Sequence, residues 1–463
     1  MLYKPRAYST EAIRFLLDRG GSGGLFLDPG LGKTGIILAL IKLLQGAELV
    51  ERVLVVAPLR AIYSTWPAEI AKWDQFRGIS WALLHGPRKA RAVESGARVL
   101  LINVEGLKWG LDALRGVKID LLVVDESTKF KNPRSKRFKL LRKALDRFPR
   151  RIVMTGTPAP NSYQDLWSQV FLLDGGETLG RSFSRFRDLY FEPVDYMRFN
   201  WRPRAGADEA INRKIAPLVL RIDDSALDLP ELLINDILID LDPKAARIYR
   251  EMEKRLFAEV EGADHFARSA AHKYGLCRQI ASGGFYSTEE DLGFAGARTV
   301  VETHNQKTEA LVDLIDELAG KPLLIAHIYR HETTRLRKAL GPVPYLGAET
   351  SGSESRAIID KWNRGEIPIL LAQAASISHG LNLQGGGNDI AWITLTDSPE
   401  DYDQLNRRIY RPGVSGRVRI HRLIARGTID EVVAARLEEK ADRQSGLLEA
   451  LKRYQKQKEE AEK

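Results

Sequence analysis

Four short apolar runs constrain the fold of this chain most: Val53–Val56, Val99–Ile102, Leu121–Val124 and Arg151–Met154. None alternates polar with apolar residues, so each reads as a strand buried on both faces. Helical patterns separate them, which predicts a parallel sheet covered on both sides. The pattern returns after about residue 300, with candidate strands Pro322–Ile325, Ile367–Leu371, Ile390–Ile393 and Val418–His421. In open parallel sheets ligands bind at the carboxyl ends of the strands. The polar residues that follow the apolar runs are therefore the first candidates for chemistry. Asp125 and Glu126 follow the third run, and Thr155, Gly156 and Thr157 follow the fourth.

The 463 residues suffice for two or three cores. The reading divides them into an α/β domain at 1–173, a less regular helical segment at 174–300, a second α/β domain at 301–440 and a charged tail at 441–463. Within the middle segment, residues 243–260 read as helix. Residues 183–204 interleave aromatics with arginines, a pattern that serves either nucleic-acid stacking or the core of a small subdomain; the core reading is preferred. Thr428 and Glu431 are spaced as a capping box for a last helix.

Composition excludes several classes. The single cysteine, Cys277, rules out an internal disulfide and any cysteine-built metal centre. No apolar run is long enough to cross a bilayer, and residues 1–6 lack the apolar core of a secretory signal. A cytoplasmic, membrane-free protein is expected. The net charge of +9 suits a polyanionic partner without demanding one. Much of the excess falls between Lys131 and Arg151, a solvated face or a surface near a phosphate backbone.

The apolar run Leu25–Leu27 is followed by Asp28-Pro29-Gly30-Leu31-Gly32-Lys33-Thr34 and then by an amphipathic stretch. Strand, glycine turn and helix in that order present backbone amides and a positive helix start to a phosphate chain. Gly30, Leu31 and Gly32 would form the cradle, Lys33 would reach the outer phosphates, and Thr34 would place a hydroxyl on magnesium. The strict phosphate-loop pattern has a glycine where this chain has Leu27. Nucleoside triphosphate hydrolysis also needs a metal-holding carboxylate, a polarised water and positive charge. Asp125 is the candidate for the metal and Glu126 for the water, with a helix cap as the alternative reading of both. Thr155 and Thr157 could sense the γ-phosphate or make a turn. Arg408 and Arg411 are expected on one face of a helix beginning near Gln404, as a phosphate clamp or a solvated basic face.

Taken in order, these motifs resemble the Swi/Snf-type branch of superfamily-two helicases and translocases, in a compact bacterial or phage-like form. The phosphate loop is Gly30–Thr34. A second motif resembles Val55–Leu59 and includes Pro58, with Trp66 and Trp73 after it. The acidic box is Asp125-Glu126-Ser127-Thr128, trailed by Lys129–Asn132. The third motif is Thr155–Pro158 with Asn161. Gly380-Leu381-Asn382-Leu383-Gln384 is similar to the nucleic-acid and coupling motif, and Gln404, Arg408 and Arg411 to the arginine-finger motif.

The resemblance implies two RecA-like doubly wound parallel-sheet domains, with a smaller helical insertion and with ATP bound between the domains. Lys33 and Thr34 would bind phosphate and Mg2+, Asp125 would hold the metal, and Glu126 would activate water. Arg408 and Arg411 would complete the site. Thr155, Gly156, Thr157, Gly380 and Gln404 would sense phosphate and couple, and Pro58, Asn161 and Asn382 would meet nucleic acid. The implied activity is ATP-dependent movement along DNA, duplex favoured, tracked by its backbone without base readout. An RNA helicase and a nucleotide-gated DNA clamp are the alternatives. Two departures stand out. Ser9 lies where the family has an adenine-reading glutamine, leaving Tyr3, Arg6 and Tyr8 as substitutes. Ser127-Thr128 stands where Ala-His is common.

Overall fold

The computed structural model describes residues 2–28, 30–156, 158, 162–194, 201–222, 229–260, 268–287, 299–377 and 381–438. Thr157, Asn161, Gly380 and the tail expected at 441–463 lie outside the described residues. The chain divides into two compact units, Met1–Asp228 with His379–Leu381, and Leu229–Ser378 with Asn382–Lys463.

In the first unit the apolar runs form the middle of a sheet. Its strands are β1 (Gly23–Leu27), β2 (Val53–Ala57), β3 (Trp81–Leu83), β4 (Val99–Asn103), β5 (Leu121–Asp125) and β6 (Arg150–Thr155). A short antiparallel ribbon, β7 (Phe191–Pro193) and β8 (Trp201–Pro203), comes next, and then the last strand, β9 (Val219–Ile222). The order across the sheet is β3-β4-β2-β5-β6-β1-β9, and every pairing is parallel. β1, β2 and β4 are buried along their whole length. That is why their sequences carry no alternation: helices cover both faces, so both sides of each strand must be apolar. The helix Lys33–Gly46 buries Ile36, Ile37, Leu38, Leu40 and Ile41.

Residues 174–300 supply both units. The helix Phe183–Tyr190, the β7–β8 ribbon and the helix Ala207–Ile215 continue the first unit and lead into β9. Phe186, Tyr190 and Phe191 are buried in the same core as Leu54, Val124 and Trp167. Arg187 lies over the ring of Trp201, 3.9 Å from its centroid. The described aromatics of this stretch are thus core and ribbon residues, and cation–π contact explains the neighbouring arginine.

The second unit holds β10 (Leu232–Ile239), an antiparallel pair β11 (Gly284–Ser287) and β12 (Thr299–Glu302), and then β13 (Leu323–His327), β14 (Tyr345–Leu346), β15 (Ile369–Gln373), β16 (Asp389–Trp392) and β17 (Val418–Ala425). The order is β10-β17-β16-β13-β15-β14, again all parallel. Helices Pro243–Val260 and Arg268–Ala281 pack with helix Ile429–Glu438, through Tyr249, Tyr274, Cys277, Ile280, Ile429 and Val432. Apolar patterning does not mark β9 or β10 as strands. β9 is an edge strand of four residues. β10 is an edge strand with Leu233, Ile234 and Leu238 exposed, so neither shows the pattern of a strand buried on both faces.

Candidate functional site

The loop after β1 bends through Gly30 and Gly32 at φ 97° and 68°, a region that only glycine enters without strain. Gly32 caps the helix Lys33–Gly46. This is strand, turn and helix in the expected order, with Leu31 buried beneath the turn and Lys33 and Thr34 in the helix's first turn. Lys33 Nζ donates to the Leu27 carbonyl at 2.6 Å, which holds the ammonium at the carboxyl end of β1.

Two strands away, β5 ends on Asp125, and β6, between β5 and β1, ends on Thr155. The registers set Asp125 beside Met154, and Thr155 beside Phe26. Parallel pairing therefore brings the residues after three separate apolar runs to one edge of one sheet. Burial pushes the Asp125 carboxyl up to about 6 and the nearby Glu126 adds to the rise, while the Trp66 hydrogen bond and the Lys33 charge oppose it. Trp66 is fully buried and donates Nε1–H to Asp125 Oδ2 at 3.0 Å. A π-helical turn, Ala61–Thr65, follows β2 and Pro58 and delivers Trp66 to that position.

Glu126 adopts φ 57° and ψ 61°, the left-handed region that a non-glycine residue enters at a cost of about 1–2 kcal/mol. Its Oε1 accepts hydrogen bonds from Thr128 Oγ1 at 3.0 Å and from Thr155 Oγ1 at 3.1 Å. The acidic box and the end of β6 thus meet on one carboxylate oxygen. Ser127 Oγ donates to Gln169 Oε1 at 2.6 Å. The Gln169 amide in turn donates to the Pro158 carbonyl and, at 2.9 Å, to that of Asp165. Gly156 lies between Thr155 and this loop.

At the amino end of the chain, Arg6 caps the helix Ala7–Leu17 and is exposed. Ser9 is buried. The Tyr3 ring packs on Trp73 and Phe76, with centroids 5.4 and 5.1 Å away. A Cβ on Gly35 would lie 3.1 Å from that ring, so Tyr3 sits directly on the helix that starts at Lys33. Burial pushes the Tyr3 phenol up to about 12, and a hydrogen bond with the Ser9 side chain opposes the shift. Tyr3 and Ser9 therefore pair with each other, with the Tyr3 ring against Gly35 of the helix that starts at Lys33.

In the second unit the helix expected to begin near Gln404 instead runs Pro399–Asn406, capped by Ser398. Arg408 and Arg411 fall in the turn after it and not on a shared helical face, which corrects the sequence expectation. The helix starts early because Ser398 and Pro399 are a strong start signal, and Pro412-Gly413 closes the turn. Gln404 is buried within the helix, and Arg408 is buried in the turn. The Arg408 carbonyl accepts from the Leu383 amide at 3.1 Å, which ties the arginine turn to the segment carrying Asn382. Asn382 is itself held by Asn363, whose amide donates to its carbonyl at 2.8 Å.

Local sequence pattern assigns no role to Gln169 or Arg278. Gln169 has a faint signal, as Ser168-Gln169 interrupts an otherwise apolar helix, Asp165–Asp174, in which both are fully buried. Arg278 has none: its partners, the Asp397 carboxylate and the Leu395 carbonyl, lie more than a hundred residues away.

The basic run between Lys131 and Arg151 divides in the same way. Arg147 donates to the Leu111 and Leu114 carbonyls and Arg150 to that of Gly20, so these are structural. Arg134, Lys136, Arg137, Lys139 and Lys143 are exposed.

A model of the SNF2-related domain matches residues 8–280. Protein p41 of Acyrthosiphon pisum secondary endosymbiont phage 1 is similar to this chain, 35% identical over 97% of it and 99% of its own length. So is YwqA of Bacillus subtilis (strain 168), named as a candidate ATP-dependent helicase/translocase, at 26% over 94% of this chain and 47% of its own. The DNA repair and recombination protein RAD54B of Homo sapiens is 26% identical over 94% and 54%. The chain thus spans nearly all of the phage protein and about half the length of the other two. The domain match covers more than half of the chain and the likeness to the phage protein runs the length of both, so the chain belongs to the SNF2-related family.

Proposed function

We propose that this chain hydrolyses ATP and uses the cycle to move along duplex DNA. The observation that carries the reading is the convergence of Lys33, Asp125, Glu126 and Thr155 at the carboxyl edge of a single sheet. The glycine turn offers amides to the phosphates, and Lys33 supplies the positive charge. Glu126 is the base for the attacking water, and the Thr155 hydroxyl orients it. Arg408 and Arg411 are read as the second unit's contribution to hydrolysis.

The donor set suits magnesium. It offers one half-buried carboxylate, Asp125, and one hydroxyl, Thr34, an oxygen pair of the kind that leaves further positions to water and nucleotide phosphates. Among the described residues no cluster of three or more His, Cys, Asp or Glu forms a protein-only metal cage. Bound there, the ion would neutralise charge on the phosphates.

DNA as the polyanion is supported by the net charge, the exposed basic face at 134–143 and the names of relatives such as RAD54B. Pro58, Asn161 and Asn382 are proposed contacts. Backbone tracking makes binding independent of base sequence and sensitive to salt. The test is ATP turnover alone and with duplex DNA, single-stranded DNA and duplex RNA across a salt series. The strongest stimulation is expected from duplex DNA, falling as salt rises. Best stimulation by RNA would replace this reading with an RNA helicase, and no turnover with any of them would leave a binding clamp.

A further inference from the structure

Within the first unit, the helix Asp165–Asp174 touches both ends of the turn that carries the acidic box. Ser168 Oγ donates to the Lys131 carbonyl at 3.0 Å, just past the turn Ser127–Phe130. Gln169 Oε1 accepts from Ser127 Oγ at 2.6 Å, at the start of that turn. Through its amide nitrogen, Gln169 also holds the Pro158 carbonyl, in the loop after β6. Ser127 and Gln169 are both fully buried, so the hydrogen bond between them forms away from water, where an unmet partner is costly. Ser127 follows Glu126, which stands in a strained left-handed conformation, and strain of this kind persists only where neighbours over-determine it.

We propose that Gln169 is a positioning residue for hydrolysis: through Ser127 it holds Glu126, and through its amide nitrogen it ties the backbone at Pro158 to the same side chain. The side chain is suited to this because one amide group both accepts and donates. Leucine fills similar space and does neither, whereas glutamate accepts from Ser127 but cannot donate to Pro158. The inference rests on the ATPase reading of this edge.

The test compares the full-length wild-type protein with Gln169→Leu and with the paired variant Ser127→Ala/Gln169→Leu. ATP turnover is followed against ATP concentration, with and without duplex DNA, alongside thermal melting. Gln169→Leu strands a buried serine hydroxyl and lowers Tm. The paired variant makes that contact apolar from both sides and recovers most of the Tm. Both are expected to lose roughly tenfold in kcat, with KM for ATP changed less than about twofold, the signature of lost transition-state stabilisation with nucleotide binding kept. Wild-type kcat in the paired variant overturns the inference and makes the contact purely structural, as does a pair no more stable than Gln169→Leu. No turnover in the wild-type protein overturns the functional reading and this inference with it.

Discussion

At the scale of single residues, two neighbouring carboxylates are set apart by their surroundings. Asp125 lies where burial raises its pKa to about 6, and Glu126 is held by two threonine hydroxyls. Glu126→Gln keeps the shape and removes the base. It should bind ATP as the wild type does and lower turnover by about a hundredfold or more; retained turnover would remove Glu126 from the mechanism. The Asp125 shift gives a pH prediction with two opposite signs. Only the ionised carboxylate can hold a cation, so kcat/KM should fall as pH drops through about 6. Stability runs the other way. A folded pKa above the ordinary 3.8 means this group's contribution is present below about 4 and is lost as pH rises through about 6. Trp66→Phe removes the indole donor that holds the pKa down, and should move the acid limb of the rate profile to higher pH. An unmoved limb would show that another group sets it.

At the scale of elements, what matters is where helices begin. Ser398 Oγ accepts from the Asp401 amide at 3.1 Å and starts the helix that leads to Arg408. Ser398→Ala should cost about 1 kcal/mol of stability in denaturant unfolding. The segment before it is fixed independently, as Arg278 pairs with Asp397 and donates to the Leu395 carbonyl. Arg278→Leu should therefore lower Tm by more than Ser398→Ala does, because it leaves Asp397 without its cation. If the two variants melt together, the ion pair does not hold the segment. Ser398-Pro399, a cap and a first-turn proline, is the local signal for the early start that an expectation near Gln404 passes over. The end of the helix at Asn406 was not legible, because the repeat of Arg408 and Arg411 three residues apart fits either a helix or the turn that is found.

On the scale of the whole molecule, the two parallel sheets are used differently. The first gathers Lys33, Asp125, Glu126 and Thr155 at its carboxyl edge, and the second carries the arginine turn. Arg408→Ala should slow hydrolysis by about tenfold or more with little loss of nucleotide affinity, measured by turnover beside ATP-analogue binding. Wild-type turnover would remove Arg408 from the reaction. The strands buried on both faces and the glycine turn could be read from local pattern. The edge strand β10 could not, because its exposed face removes the apolar continuity that marked the others.

The sequence by itself determined which chemical groups stand at the ends of which strands, since apolar runs fix the strands and the residue after each run is then placed. Lys33, Asp125, Glu126 and Thr155 were all found in that way. Only the tertiary structure decided their partners. Strand order, with β6 between β5 and β1, brings Thr155 to Glu126. Packing of distant helices supplies Trp66, Gln169 and Arg278. These contacts span from about forty to more than a hundred residues. Periodicity reports on a residue's own strand or helix, and no local pattern encodes a hydrogen bond that forms only when two separately folded elements meet.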